Sequence, residues 1–312
     1  MRALVISGGG SKGAFAGGIA EYLIREKGRR YGLFVGTSTG SLLIPLLSIG
    51  EISKIKEIYT SVTQSDIFSN CPFIIRRDGE GFRTRINHLG IVGMFIKGAK
   101  TFGDSSNLRD LIKRILTEKD FHRIRSHFVD VVVTVSNFTT NRVEYKAAKE
   151  GTYEDFVDWM WASSNFIPFM SLLEKNGQEY GDGGFADLIP INEAINRGAT
   201  EIDVIVLKTE KPRTRHKKVR NALELTTRVF DFMLDQIAHD DIAIGKLAGA
   251  EKKVTLNFYH PPELLTENSL VFDPVMMKKW WQQGLDYGRT YQPTSKLVEQ
   301  QSPSEPQKVW TK

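Results

Sequence analysis

The sequence predicts an α/β fold, a mostly parallel central sheet flanked by helices, on three observations. Short apolar runs alternate with stretches of helical spacing from the first residues onward. Two strand-to-helix junctions within the first 50 residues are rich in glycine. The run at residues 129–135 is β-branched and almost uninterrupted, as in a strand buried on both faces of a parallel sheet.

The elements follow in order. Residues 3–7 form a short apolar run ended by Gly8, Gly9 and Gly10, which reads as a buried strand. Ala14, Phe15, Ile19, Tyr22 and Leu23 then recur near helical spacing, so a helix should begin at Lys12 or Gly13. Residues 31–35 read as a second strand and 41–48 as a second helix. Residues 66–106 show no clean period and mix glycine, proline, aromatics and charge, the signature of an irregular excursion or mobile cap. A helix resumes at 104–116 behind N-cap candidates. After the 129–135 strand, residues 142–147 read as its neighbour, and 202–207 and 254–259 as two further strands. The last two are separated by a long helix at about 221–247, whose Leu225, Val229, Phe232, Met233, Ile237 and Ile244 are spaced to face the core. Residues 1–289 are expected to form one domain, and the polar residues 290–312 a C-terminal tail.

Composition narrows the function classes. Across 312 residues, 41% are hydrophobic and 25% charged, which excludes wholesale disorder. The net charge of +5 suits an anionic surface but is too small to argue for nucleic acid, so no nucleic-acid partner is expected. A single cysteine, Cys71, excludes an intramolecular disulfide framework and a cysteine-built zinc site. No apolar run approaches the roughly 18–20 residues that span a bilayer. The N-terminal stretch lacks the apolar core of a signal peptide. The expectation is a cytoplasmic protein, peripheral at a membrane, with export lacking a classical signal peptide as the alternative.

Three segments carry chemistry. Gly36-Thr37-Ser38-Thr39-Gly40 is a G-x-S-x-G between a strand and a helix. A serine at such a sharp turn is strained and exposes its hydroxyl, and glycine two places to either side clears the tight backbone. The helix that follows aims its N-terminal N–H groups at the same spot. Gly8-Gly9-Gly10-Ser11-Lys12-Gly13 is a second glycine loop at a strand-to-helix junction. Its amides could cradle a nucleotide phosphate or stabilise the oxyanion of an acyl intermediate, with Lys12 adding positive charge. It lacks the Walker spacing, because Lys12 is followed by glycine. Asp182 stands among Gly181, Gly183 and Gly184, where its carboxylate could approach another group closely or mark a simple turn. None of the histidines (His88, His122, His127, His216, His239, His260) sits in a motif that announces catalysis. An α/β-hydrolase triad is disfavoured, because a nucleophile at position 38 leaves room for only one preceding strand.

Together GGGSKG at 8–13, GTSTG at 36–40 and DGG at 182–184 resemble the patatin-like phospholipase family. The segments WASSNFIPF at 161–169 and FGDSSNLRDL at 102–111 agree, so the resemblance spans about residues 1–207. Asn165 and Asp187 depart from residues the family often carries there. The resemblance implies a single patatin-like three-layer domain and a Ser–Asp dyad of Ser38 and Asp182. It also implies an oxyanion hole from the glycine loop, acyl-ester hydrolysis of phospholipids or related lipids, and no cofactor or metal. A catalytically silent lipid- or nucleotide-binding protein that uses the glycine loops is the competing reading.

A lipid hydrolase also needs access to a membrane surface. Phe68, Phe73, Ile74, Ile75, Phe82, Met94, Phe95 and Ile96 are interleaved with Arg76, Arg77, Arg83, Arg85 and Lys97, a mixture suited to an anionic interface or to a loop packing its own small core. The densest basic run is at 213–220. Trp280 and Trp281 suit either a membrane interface or the core.

Overall fold

The computed structural model describes residues 1–79, 81–210, 218–219, 222–291 and 293. Chain order is β1 (Arg2–Ile6), α1 (Gly13–Glu21), β2 (Leu33–Thr37), α2 (Thr39–Ser48), α3 (Ile52–Tyr59), α4 (Gln64–Ile67), β3 (Phe73–Asp78), β4 (Gly81–Ile86), α5 (His88–Ile96), α6 (Ser106–Ile115) and α7 (Glu118–Ser126). There follow β5 (Asp130–Asn137), β6 (Arg142–Ala147), α8 (Tyr153–Ser163), β7 (Leu173–Lys175), β8 (Gln178–Asp182), α9 (Ile191–Asn196), β9 (Glu201–Ile205), α10 (Ala222–Glu251), β10 (Thr255–Tyr259) and α11 (Pro274–Thr290).

The main sheet runs β10-β9-β1-β2-β5-β8-β7, with β6 also paired to β5. From β10 to β5 the pairs are parallel; β6 and β8 join β5, and β7 joins β8, antiparallel. Alternation along the strands divides the core in two. Leu4 and Ile6 of β1 pack with α1, α2, α6 and α11, whereas Ala3 and Val5 pack on the opposite face with α9 and α10. The architecture is three layers, helices on both faces of a mostly parallel sheet. Trp280 and Trp281 lie in the core, where the Trp281 indole donates to Glu21 (2.6 Å) and its ring lies against Gly17.

Residues 66–106 differ from the sequence expectation of an irregular stretch. β3 and β4 form an antiparallel hairpin with Phe73 opposite Ile86, and α5 follows it directly. Isoleucine and arginine share the hairpin's outer face, which hides the period-two pattern, and glycines interrupt α5.

The long helix also differs. Its packed stripe is Phe230, Leu234, Ile237, Ala238, Ile242 and Gly245, while Leu225, Val229, Phe232, Met233 and Ile244 are exposed. α10 carries apolar residues on both faces, so periodicity selects a face only when the other is polar. Of the basic run at 213–220, only 218–219 fall within the described residues, and most of the 290–312 tail lies outside them.

Candidate active site

Ser38 sits between the end of β2 and the start of α2 with φ 54° and ψ −121°, a left-handed conformation costly for a residue with a side chain. The flanking glycines permit the turn. A Cβ on Gly36 would come within 2.6 Å of the Gly40 carbonyl carbon, and one on Gly40 would overlap the Ile6 carbonyl. Three serines hold the strained peptide: Ser38 N–H donates to Ser163 Oγ (3.0 Å), and Ser41 and Ser164 hydroxyls donate to the Ser38 carbonyl (2.5 and 3.1 Å). Thr37 Oγ1 donates to the Asp187 carbonyl (3.0 Å).

Asp182 meets this serine because of how β5 shares its edges. β6 covers Val132–Asn137 along one edge. β2 pairs with Asp130–Thr134 and β8 with Val135–Asn137, so both must lie on the other edge, pointing toward each other. Thr37 at the end of β2 is level with Thr134, and Asp182 at the end of β8 is level with Val135. The residue after Thr37 therefore abuts Asp182. Ser38 Oγ donates to Asp182 Oδ2 at 2.7 Å, both residues buried.

The other polar atoms of Asp182 are engaged as well. Gly184 N–H donates to Oδ1 (2.8 Å), Asp182 N–H donates to the Asn165 carbonyl (3.0 Å), and Ser136 Oγ donates to the Asp182 carbonyl (2.8 Å). Burial pushes the carboxyl up to about 7, against the opposing pull of the Ser38 and Gly184 hydrogen bonds. A carboxylate with that affinity is matched to taking a proton near neutral pH.

The glycine loop follows β1, next to β2, and comes close to the elbow: a Cβ on Gly8 would lie 3.1 Å from that of Ser38. Gly8 N–H donates to Leu188 (3.1 Å), Ser11 N–H to Ser269 (2.9 Å), Lys12 N–H to Gly9 (3.3 Å), and Gly13 N–H to Gly10 and Ser11. Among the described residues, the Gly9 and Gly10 amides have no acceptor. Lys12 Nζ donates to the Leu207 carbonyl (2.8 Å). Tyr59 joins the two motifs, since its hydroxyl is hydrogen-bonded to Thr39 and donates to the Gly10 carbonyl (2.8 Å).

The family model for patatin-like phospholipases matches residues 4–195, which hold the glycine loop, the elbow and Asp182. The chain belongs to the patatin-like phospholipase family. It is similar in fold to VipD from Legionella pneumophila, at 15% identity and a TM-score of 0.50, over 92% of this chain and 66% of that one. The chain thus spans just under two thirds of the VipD chain. No curated protein sequence matches it.

Ser38, Thr39, Asp182, Gly8, Gly9, Gly10 and Lys12 open onto one cavity of 1870 Å³ at the carboxyl edge of the sheet. Its walls come from both helical layers, the β3–β4 hairpin and the 263–270 segment. On one side Leu42, Ile58, Leu111 and Ile115 make an apolar wall; on the other Lys208, Arg228, Asp235 and His239 make a polar one. His239 and His260 border this cavity, and neither hydrogen-bonds to Ser38 or Asp182. Burial depresses the His260 imidazole below its usual range. Among the described residues no group of three or more histidine, cysteine, aspartate or glutamate side chains is placed to hold a metal ion.

Sequence reasoning missed Ser41, Tyr59, Ser136 and the individual roles of Ser163 and Ser164. Only the last two left a signal, inside the 161–169 segment. Asp187 accepts from the Tyr145 hydroxyl (2.6 Å), and burial raises its carboxyl to about 6. Asn165 receives the Ser105 hydroxyl (2.6 Å).

Proposed function

We propose that this protein hydrolyses fatty acyl esters of phospholipids or related lipids through a dyad of Ser38 and Asp182. The observation that carries the reading is the 2.7 Å hydrogen bond between a strained elbow serine and a buried carboxylate, at a cavity with one apolar wall. Asp182 Oδ2 takes the Ser38 proton as Oγ attacks the ester carbonyl, then returns it to the leaving alcohol. Water, deprotonated by the same carboxylate, releases the fatty acid from the acyl-enzyme.

The oxyanion falls to the Gly9 and Gly10 amides, which open onto the same cavity as Ser38 and, within residues 8–13, alone lack an internal acceptor. Gly8, Ser11, Lys12 and Gly13 hold the loop's shape through amides already committed. The acyl chain lies along the apolar wall of α2, α3 and α6, and the polar part of the lipid faces α10. Residues 1–289 act as one catalytic unit in this reading, because β10 completes the sheet and α11 packs on α1. No helix of the described residues is long and apolar enough to cross a membrane.

The test is labelling by a fluorophosphonate, compared between the natural chain and Ser38→Ala, followed by a mixed phospholipid panel. Labelling of Ser38 with fatty acid release supports the reading. Protection by a nucleoside triphosphate with no ester hydrolysis would favour the silent binder.

A further inference from the structure

Helix α5 presents apolar side chains to solvent. Leu89 is 88% exposed, Ile96 81%, Phe95 54% and Val92 52%. Positions 89, 92 and 96 lie on one face at helical spacing, with Phe95 beside them, and the helix contains no lysine, arginine, aspartate or glutamate. Surface helices ordinarily put polar residues on that face. The opposite side is anchored by buried Met94, while Phe95 touches Phe102 edge-on (6.0 Å between ring centres).

The hairpin that precedes α5 adds charge. Arg76 stands directly opposite Arg83, and Ile74 opposite Arg85, so three arginines and an exposed isoleucine share its outer face. Like charges across a strand pair destabilise it in isolation. Arg83 is paired to Asp78 (3.0 Å), whereas Arg76 and Arg85 have no ion pair among the described residues. Asn87 fastens α5 to the hairpin's base: its side chain caps Gly90 N–H (3.0 Å), and its own amide donates to the Pro72 carbonyl (2.9 Å). Phe73, Phe82 and Thr84, on the hairpin's other face, line the cavity that contains Ser38.

We propose that α5 and the outer face of the β3–β4 hairpin dock this protein on an anionic lipid bilayer. The apolar stripe of α5 enters the headgroup boundary and Arg76 and Arg85 meet anionic lipid headgroups. Charge complementarity selects this partner, because an apolar stripe beside arginines that have no ion pair among the described residues matches a surface that offers acyl chains beneath negative charge. Docking there puts the hairpin, one wall of the active-site cavity, against the source of substrate. The choice of partner rests on the lipid hydrolase reading; the docking surface does not depend on turnover.

The test uses the full chain carrying Ser38→Ala, so that lipid is bound and not consumed, with vesicles of phosphatidylcholine with or without phosphatidylserine. Co-flotation should require phosphatidylserine and weaken with salt. Leu89→Asp with Ile96→Asp, and separately Arg76→Glu with Arg85→Glu, should each lower partitioning by at least about tenfold. With Ser38 restored, both pairs should hydrolyse a soluble monomeric ester at the parent rate and vesicle phospholipid more slowly. Parent-like partitioning by both pairs, or equal binding to neutral vesicles, overturns the proposal. So does self-association that Ile96→Asp abolishes without any vesicle binding, which would assign the face to a second copy. Vesicle binding intact with no ester hydrolysed at all would support the docking surface and refute the hydrolase reading.

Discussion

At the residue scale, the candidate site pairs a strained serine with a carboxylate that burial makes basic. Ser38→Ala should abolish ester hydrolysis and fluorophosphonate labelling while leaving the melting profile unchanged, since the hydroxyl's removal leaves the elbow glycines in place. Asp182→Asn should lower turnover by roughly 10²–10⁴-fold. The same single changes at His239 or His260 should leave turnover nearly unaltered, because neither imidazole is hydrogen-bonded to Ser38 or Asp182. A histidine variant as damaged as Asp182→Asn, and still folded, would restore a triad mechanism. The pH dependence has a definite sign. The carboxyl rises from its ordinary 3.8 to about 7 on folding. Turnover should therefore climb as pH rises through about 7, where the base becomes available. Stability runs the other way: between those two values the folded chain keeps a proton the unfolded chain has lost, so this group makes stability fall with pH until about 7. Asp182→Asn should then melt higher than the natural chain at pH 8 while losing activity, and differential scanning calorimetry reads that directly.

At the scale of elements, the two glycine turns were legible because each packs a particular atom where a Cβ would stand. Gly36→Ala and Gly40→Ala should each cost about 1–3 kcal/mol or more by forcing backbone apart at the elbow, measurable by urea denaturation. The strands of the parallel half were legible from composition, because burial on both faces leaves only apolar choices at most positions. β7 was missed although Asn176 and Gly177, both at positive φ, form the two-residue turn that joins it to β8. The β3–β4 hairpin was missed for a physical reason, since arginines on its outer face and apolar residues on both faces erase the alternation. The face of α10 was misassigned because local spacing registers two apolar stripes, and only the neighbours decide which one is buried.

At the scale of the whole molecule, the cavity crosses the carboxyl edge of the sheet from one helical layer to the other, and in the proposed reading its apolar wall limits the acyl chain. Leu111→Trp should shift hydrolysis toward shorter acyl chains, read as the ratio of short- to long-chain ester turnover, with little change in labelling of Ser38. Trp281→Ala should destabilise by about 3–5 kcal/mol, because the fully buried indole fills the contact between α1 and α11 and its N–H satisfies Glu21. The resemblance to the patatin-like family supplied Asp182 as the candidate carboxylate partner, and local patterns in the chain specified the fold class, the two glycine junctions and the candidate nucleophile. Those depend on local backbone geometry, which a few glycines and one run of apolar residues specify. Tertiary structure alone decided that β2 and β8 share one edge of β5, bringing residues 38 and 182 to 2.7 Å. It also decided which glycine-loop amides stay unbonded, which serines brace the elbow, and which apolar faces remain in solvent. Each of these depends on contacts between residues far apart in the chain, and no local pattern encodes which distant surface will arrive to bury a side chain or accept a hydrogen bond.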